Sequence, residues 1–196
     1  MDHSQITGLI LAGGRGTRMG TVDKGLQLLR GEPLVQHVLN RLAPQVGPLL
    51  INANQNLDEY RQFGVPVISD ALQGHEGPLA GLQAGLQACK TEFMATAPCD
   101  SPFLPEDLVA RLGAALLERE ADIAVAVTGE GAQRQQHPVF CLLRASLAAH
   151  LDNYLREGNR KFALWYASLL VMEVHFEDEQ AFLNINTLDE LRQQET

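Results

Sequence analysis

The residues best suited to chemistry lie in one glycine-rich segment near the amino terminus: Leu11-Ala12-Gly13-Gly14-Arg15-Gly16-Thr17-Arg18-Met19-Gly20-Thr21-Val22-Asp23-Lys24. Glycines let backbone N–H groups approach a phosphate chain without side-chain interference. Arg15, Arg18 and Lys24 concentrate positive charge in the same loop. The segment therefore reads as a phosphate cradle rather than a solvated surface loop. Two familiar phosphate loops do not fit it. A Walker A loop requires G-x-x-x-x-G-K-[ST], whereas here the order is Lys24-Gly25 and no Ser or Thr follows the lysine. A dinucleotide fingerprint requires G-x-G-x-x-G; Gly14 and Gly16 match, but Met19 holds the third glycine position and Gly20 comes one residue late.

Further polar residues follow the later apolar runs. They are Asn52-Ala53-Asn54, then Asp70, Gly77-Pro78-Leu79-Ala80-Gly81, Pro98-Cys99-Asp100-Ser101-Pro102 and Asn184-Ile185-Asn186-Thr187. Asp100 is the best metal candidate, because Mg²⁺ prefers one or two carboxylates together with phosphate oxygens and waters. An isolated Asp after a strand is more often a turn former or a helix cap. Asn184 and Asn186 are weaker metal donors and also suit a turn. The histidines are scattered and show no H-E-x-x-H spacing. No Ser-His-Asp or Cys-His arrangement is evident.

The elements that must position these residues can be read from periodicity. Ile6–Leu11, Leu49–Ile51, Val65–Ile68, Phe93–Ala97, Ile123–Val127, Val139–Leu143 and Val171–Phe176 read as strands. Leu34, Val35, Val38, Leu39 and Leu42 follow helical spacing, with Pro33 suited to the first helical position. Further helices are expected from Pro78, from Pro105 with Glu106 and Asp107 in its first turn, over Leu147–Leu155 and over Phe162–Leu169. Thr187 and Glu190 form a T-x-x-E capping box for a last short helix. This alternation predicts an α/β fold with a mostly parallel sheet. Such sheets bind ligands at the carboxyl ends of their strands, where the motifs above fall.

Composition narrows the partners. The chain has 196 residues and a formal net charge of −9. That length suits one domain. The acidic balance argues against nucleic acid and anionic membranes as partners, but not against a small phosphorylated ligand. No apolar stretch approaches the ~18 residues of a membrane span. No Lys or Arg precedes the first apolar run, which makes it a poor signal peptide. Cys89, Cys99 and Cys141 form no C-x-x-C pair, so neither a disulfide framework nor a zinc ribbon is expected. A cytoplasmic protein with reduced thiols is the expectation.

The segment L-A-G-G-x-x-x-R-M-G-x-x-x-K, followed in order by N-x-N, Asp70, G-P-L-A-G, C-D-x-P and N-x-N, resembles the molybdenum cofactor guanylyltransferase family over nearly the whole chain. The resemblance implies a Rossmann-like nucleotidyltransferase fold, with a mixed, mostly parallel sheet flanked by helices, as a single domain over residues 1–196. The N-terminal part would bind GTP and Mg²⁺, and the C-terminal part the molybdopterin acceptor. The reaction implied is transfer of GMP from GTP to the phosphate of the molybdenum–molybdopterin cofactor, releasing pyrophosphate. By the same resemblance Leu11, Ala12, Gly13, Lys24, Asn52, Asp70 and Asp100 border the nucleotide. Asp100 holds the Mg²⁺, and Lys24, Asp100 and Arg18 serve catalysis. Transient contact with cofactor-insertion proteins is also implied.

Gly13 favours GTP, because cytidylyltransferase relatives tend to carry L-A-A-G. His137, in an H-P step, and the basic residues Arg156, Arg160 and Lys161 are candidates for the acceptor side. A related cytidylyl- or sugar-nucleotide transferase, or a non-catalytic GTP-binding module, remain the alternatives.

Overall fold

The computed structural model of the protein describes residues 1–13, 23–70, 77–187 and 190–191. In chain order its regular elements are β1 (Ile6–Leu11), β2 (Leu28–Leu29), β3 (Glu32–Pro33), α1 (Leu34–Leu42), β4 (Leu49–Asn52), α2 (Leu57–Arg61), β5 (Val67–Ile68) and α3 (Pro78–Ala88). They continue as β6 (Phe93–Pro98), α4 (Leu108–Glu118), β7 (Ile123–Thr128), β8 (Gln135–Arg144), α5 (Ala148–Arg156), α6 (Phe162–Tyr166) and β9 (Val171–His175).

Seven strands form one sheet in the order β5-β4-β1-β6-β8-β7-β9, and β2 with β3 makes a separate hairpin. Strands β5, β4, β1 and β6 pair in parallel, as do β7 and β9. Strand β8 lies between β6 and β7, antiparallel to both. The sheet is thus mixed and mostly parallel, as expected. Every residue of β1, β6 and β7 is buried, which explains their continuous apolar runs: both faces are covered by helices. One face carries α1 and α4, packed around Ile10, Val38, Leu112 and Phe140. The other carries α3, α5 and α6, packed around Leu9, Leu82, Leu151 and Trp165. No helix among the described residues is long and apolar enough to cross a membrane.

Several boundaries differ from the sequence reading, each for a local reason. Pro33 ends the hairpin in an extended conformation, so α1 begins one residue later. The segment opened by Pro105 is a turn, and α4 starts only at Leu108, leaving Glu106 and Asp107 ahead of it. Pairing to β4 limits the third predicted strand to Val67–Ile68. The second predicted late helix ends at Tyr166. The predicted strand Val139–Leu143 is the end of a longer one, whose register against β7 slips between Val125 and Ala126. Val125 pairs with Cys141 but Ala126 pairs with His137, so residues 138–140 bulge out of the ladder. Pro138, which has no N–H to give, sits in that bulge.

The Thr187 box forms with a shift of one residue. The Glu190 N–H donates to Thr187 Oγ1 (3.1 Å), and Glu190 Oε2 accepts from the N–H of Asn186 (2.6 Å) rather than of Thr187. This fixes the backbone at Asn186.

The start of α4 has no capping bond from Asp107. A buried glutamine supplies it instead. Gln45 Oε1 accepts from the N–H of Val109 (2.9 Å), while its Nε2 donates to the carbonyls of Arg41 (2.8 Å) and Pro105 (2.9 Å). One amide therefore satisfies three backbone groups in a dry interface. Gln45→Ala is expected to destabilise the protein by roughly 1–3 kcal/mol, the cost of leaving buried polar groups unpaired. Urea unfolding of the two proteins measures it; an unchanged midpoint would show that other groups cap α4.

Candidate active site

The carboxyl ends of β1, β4, β5 and β6 lie side by side, and the loops leaving them enclose a cavity of about 220 Å³. Each backbone is tied to its neighbour. The Ala12 N–H donates to the Asn52 carbonyl (2.8 Å), and the Cys99 N–H to the Leu11 carbonyl (3.1 Å). The seven described residues predicted for the nucleotide and metal, Leu11, Ala12, Gly13, Lys24, Asn52, Asp70 and Asp100, all line this one cavity. Arg18, and with it Arg15, lies outside the described residues.

One wall is a carboxylate held by two amides. Asp70 Oδ1 accepts from Asn52 Nδ2 and Asp70 Oδ2 from Asn54 Nδ2, both at 2.9 Å. The Asp70 N–H donates back to Asn54 Oδ1 (3.0 Å). Asn52 is 1% exposed, so its amide is fixed by packing. Asp70 is thereby oriented with lone pairs to spare, an acceptor for N–H groups of a ligand. Gly13 is required beside this wall: a Cβ there would meet Asn54 Nδ2 at 2.9 Å and Asn52 Oδ1 at 3.0 Å. Asn54 was visible in the sequence only as the second half of N-x-N, and its tie to Asp70 has no local signature.

The opposite wall carries charge. Lys24 Nζ donates to Asp100 Oδ2 (3.2 Å) and to Asn186 Oδ1 (2.5 Å). Asn184 stands beside it, its Oδ1 accepting from Ser101 Oγ (2.6 Å), and Asn186 Nδ2 donates to the Asn184 carbonyl (2.9 Å). The Ile185 N–H closes the contact on the Asp100 carbonyl (2.8 Å). The C-terminal N-x-N is thus brought onto the C-D-x-P turn.

Burial pushes the Asp100 carboxyl above its ordinary range, and the Lys24 ammonium only partly offsets this. Burial also pushes the neighbouring Cys99 thiol well up, so Cys99 is a protonated packing residue rather than a nucleophile. The Asp100 and Asn186 oxygens converge on one cation, here the ammonium of Lys24. That donor set fits a hard divalent ion completed by a substrate's phosphate oxygens. Among the described residues no group of three or more His, Cys, Asp and Glu could hold a metal ion by itself.

A second cavity of about 640 Å³ adjoins the first and shares Pro98, Val139 and Asn184 with it. The β8 bulge shapes it. His137 accepts or donates at Thr128 Oγ1 (2.8 Å) and stacks on Phe182 with ring centroids 4.7 Å apart. Burial pushes the His137 imidazole below its ordinary value, with Glu179 acting in the opposite direction. His137 thus lines the second cavity and not the first. Arg156, Arg160 and Lys161 line neither cavity. Arg156 pairs with Asp152 (2.9 Å), and Arg160 donates to the Leu155 carbonyl (2.8 Å), so these two close the end of α5.

A mostly parallel sheet whose strand ends gather a lysine and two carboxylates in one cavity is the arrangement expected of a nucleotidyltransferase. Residues 8–169 match the family model of the MobA-like NTP transferase domain. The chain is 57% identical over 195 residues to the molybdenum cofactor guanylyltransferase of Ralstonia nicotianae, covering 97% of this chain and 96% of that one. It is 58% identical over 195 residues to the molybdenum cofactor guanylyltransferase of Cupriavidus necator, covering 99% and 98%. The crystal structure of molybdopterin-guanine dinucleotide biosynthesis protein A from Archaeoglobus fulgidus has the same fold, with a TM-score of 0.76 over 96% of both chains at 23% identity. The chain belongs to the molybdenum cofactor guanylyltransferase family.

The burial of Asp100 has a measurable consequence. A carboxyl whose pKa is raised by folding binds its proton more tightly in the native state, so its contribution to stability falls as the pH rises above the unfolded value. Ionising Asp100 in the folded protein therefore costs free energy. Asp100→Asn is expected to melt at a higher temperature than the parent at pH 7 and to lose that advantage on acidification. A variant that melts lower at pH 7 would show that the Lys24 pair outweighs the burial.

Proposed function

We propose that the protein transfers GMP from GTP to the phosphate of the molybdenum–molybdopterin cofactor, with Mg²⁺ as the metal, giving molybdopterin guanine dinucleotide and pyrophosphate. The observation that carries this reading is the meeting of Lys24 and Asp100 of the small cavity with Asn186 of the adjoining one, alongside the guanine-compatible wall of Asp70, Asn52 and Gly13. Guanine presents N1–H and N2–H₂ donors, which an oriented carboxylate accepts. A pocket of fixed acceptors rejects bases that leave them unpaired. The Gly13 contact supports GTP over CTP, since a methyl group there would press on the amides that hold Asp70.

The acceptor lies in the large adjoining cavity, against His137, Phe182 and the bulge of β8. Its volume is in the ordinary range for a cofactor-sized ligand. An oxygen of the acceptor phosphate forms a bond to the α-phosphorus. The bond from that phosphorus to the bridging oxygen breaks, and its electron pair leaves with pyrophosphate. A phosphate monoester has a second pKa of about 6 and is mainly dianionic at neutral pH, so no protein base is needed. Lys24 neutralises and orients phosphate oxygens, and Asp100 and Asn186 hold the place of the metal. Mg²⁺ held on Asp100 would supply positive charge to the triphosphate and the departing pyrophosphate. Arg18 adds a further cation from the glycine-rich loop. Catalysis is positioning plus charge stabilisation.

The whole chain acts as one domain, in the cytoplasm, with transient contact to cofactor-insertion proteins and with neither nucleic acid nor membrane as a partner.

Purified protein supplied with molybdenum–molybdopterin cofactor, Mg²⁺ and GTP, CTP or ATP is expected to form dinucleotide from GTP alone. Asp100→Ala is expected to abolish that turnover. A preference for CTP would sink the guanylyl reading, and undiminished turnover in Asp100→Ala would remove the metal from this carboxylate. Lys24→Ala is expected to weaken GTP at least about tenfold, the worth of a charge-assisted phosphate contact, while leaving guanosine within about twofold. Calorimetric titration distinguishes the two ligands, and an equal loss for both would point to a damaged fold instead.

A further inference from the structure

The Lys24 ammonium is bonded to Asp100 and Asn186, but four flexible carbons separate it from its backbone. Its aim at a ligand therefore depends also on what holds the residue before it. The Asp23 side chain accepts three hydrogen bonds from two separate parts of the chain. Its Oδ1 takes the Gly25 N–H (3.1 Å) and the Tyr60 hydroxyl (2.6 Å), and its Oδ2 takes Asn56 Nδ2 (3.0 Å). The Asp23 carbonyl accepts a further bond from Gln27 Nε2 (3.2 Å). The first of these bonds caps the single helical turn that begins at Lys24. The other two come from α2 and the residue ahead of it, an element that contributes nothing to the sheet.

Tyr60 is fully buried in the core under α1, yet its hydroxyl reaches the cavity wall. A Cβ at Gly25 would lie 2.5 Å from that hydroxyl and 3.1 Å from Cys99 Sγ. The phenol therefore stands where the Lys24 turn meets the turn that carries Asp100. Asn56 is held in the left-handed conformation (φ 51°), which directs its amide at Asp23 from the other side.

We infer that Tyr60 and Asn56 are positioning residues for phosphate recognition: through Asp23 they hold the Lys24 ammonium against the triphosphate. This rests on the reading of Lys24 as a phosphate-binding residue, and the test separates the two. Tyr60→Phe keeps the buried ring and removes only the hydroxyl. Asn56→Gly keeps the left-handed backbone and removes the other donor. Both full-length variants, and Tyr60→Phe combined with Lys24→Ala, are titrated with GTP and with guanosine in the presence of Mg²⁺.

Tyr60→Phe is expected to weaken GTP about tenfold, the effect of losing a hydrogen bond to a charged group, with guanosine unchanged within about twofold. Asn56→Gly is expected to show the same pattern at about threefold. In the Lys24→Ala background Tyr60→Phe is expected to add less than about twofold, because two residues acting through one contact are not additive.

The inference is overturned by unchanged GTP affinity in Tyr60→Phe, by equal losses for GTP and guanosine, or by the same tenfold loss without Lys24. Should Tyr60→Phe fail to fold, unchanged GTP affinity in Asn56→Gly overturns it. If Lys24→Ala itself treats GTP and guanosine alike, the reading of the lysine fails and this inference falls with it.

Discussion

A carboxylate buried beside a single ammonium, at the end of the central strand, is the constraint around which the site is organised. Asp100 is 7% exposed, and burial alone would drive it towards its neutral form. Lys24 and the oxygens around it make the place one where a cation is wanted. This resolves an apparent conflict of charge. The chain carries a formal net charge of −9, yet the substrates proposed for it are polyanions. The reversal is local: Lys24 is the described cation of the cavity, and a metal held on Asp100 would turn a repulsive carboxylate into an attractive site. The same features make the ligand-free centre a place of stored electrostatic cost, a familiar trade of stability for function.

The sheet explains why this centre is served by two cavities. Strand β6 delivers Asp100 because it is apolar on both faces and so lies in the middle of the sheet. On one side its parallel neighbours β1, β4 and β5 bring the ends that line the smaller cavity. On the other side β8 runs the opposite way, so that its beginning rather than its end reaches the same rim. The bulge at 138–140 then re-aims His137 and opens the larger cavity against Phe182. A fully parallel sheet would have placed another β-to-α loop there. Reversal of one strand gives the larger cavity a floor of side chains instead.

Much of this was legible in the chain itself. Glycines, cations and carboxylates fell directly after buried apolar runs, and all the described residues marked for the nucleotide lie in one cavity. Less legible were the groups that hold them. Asp23 and Tyr60 are 37 residues apart, Gln45 and Val109 are 64 apart, and Lys24 and Asn186 are 162 apart. None of these pairs leaves a periodic trace, because a hydrogen bond between distant segments imposes no spacing on the sequence. The basic cluster at the end of α5 is the converse case. Its charge suggested a phosphate, but Arg156 pairs with a carboxylate of α5 and Arg160 donates to a carbonyl of α5.

The division has a physical origin. Local sterics and solvation act over a few residues, so residue type and period determined which segments are strands, which face of α1 is buried, and that the polar motifs follow strand ends. Tertiary packing alone decided that β8 runs backwards, that a glutamine rather than Asp107 caps α4, and that a buried phenol reaches the turn carrying Lys24. Those outcomes depend on which surfaces meet when the chain condenses, and only the folded arrangement contains that information.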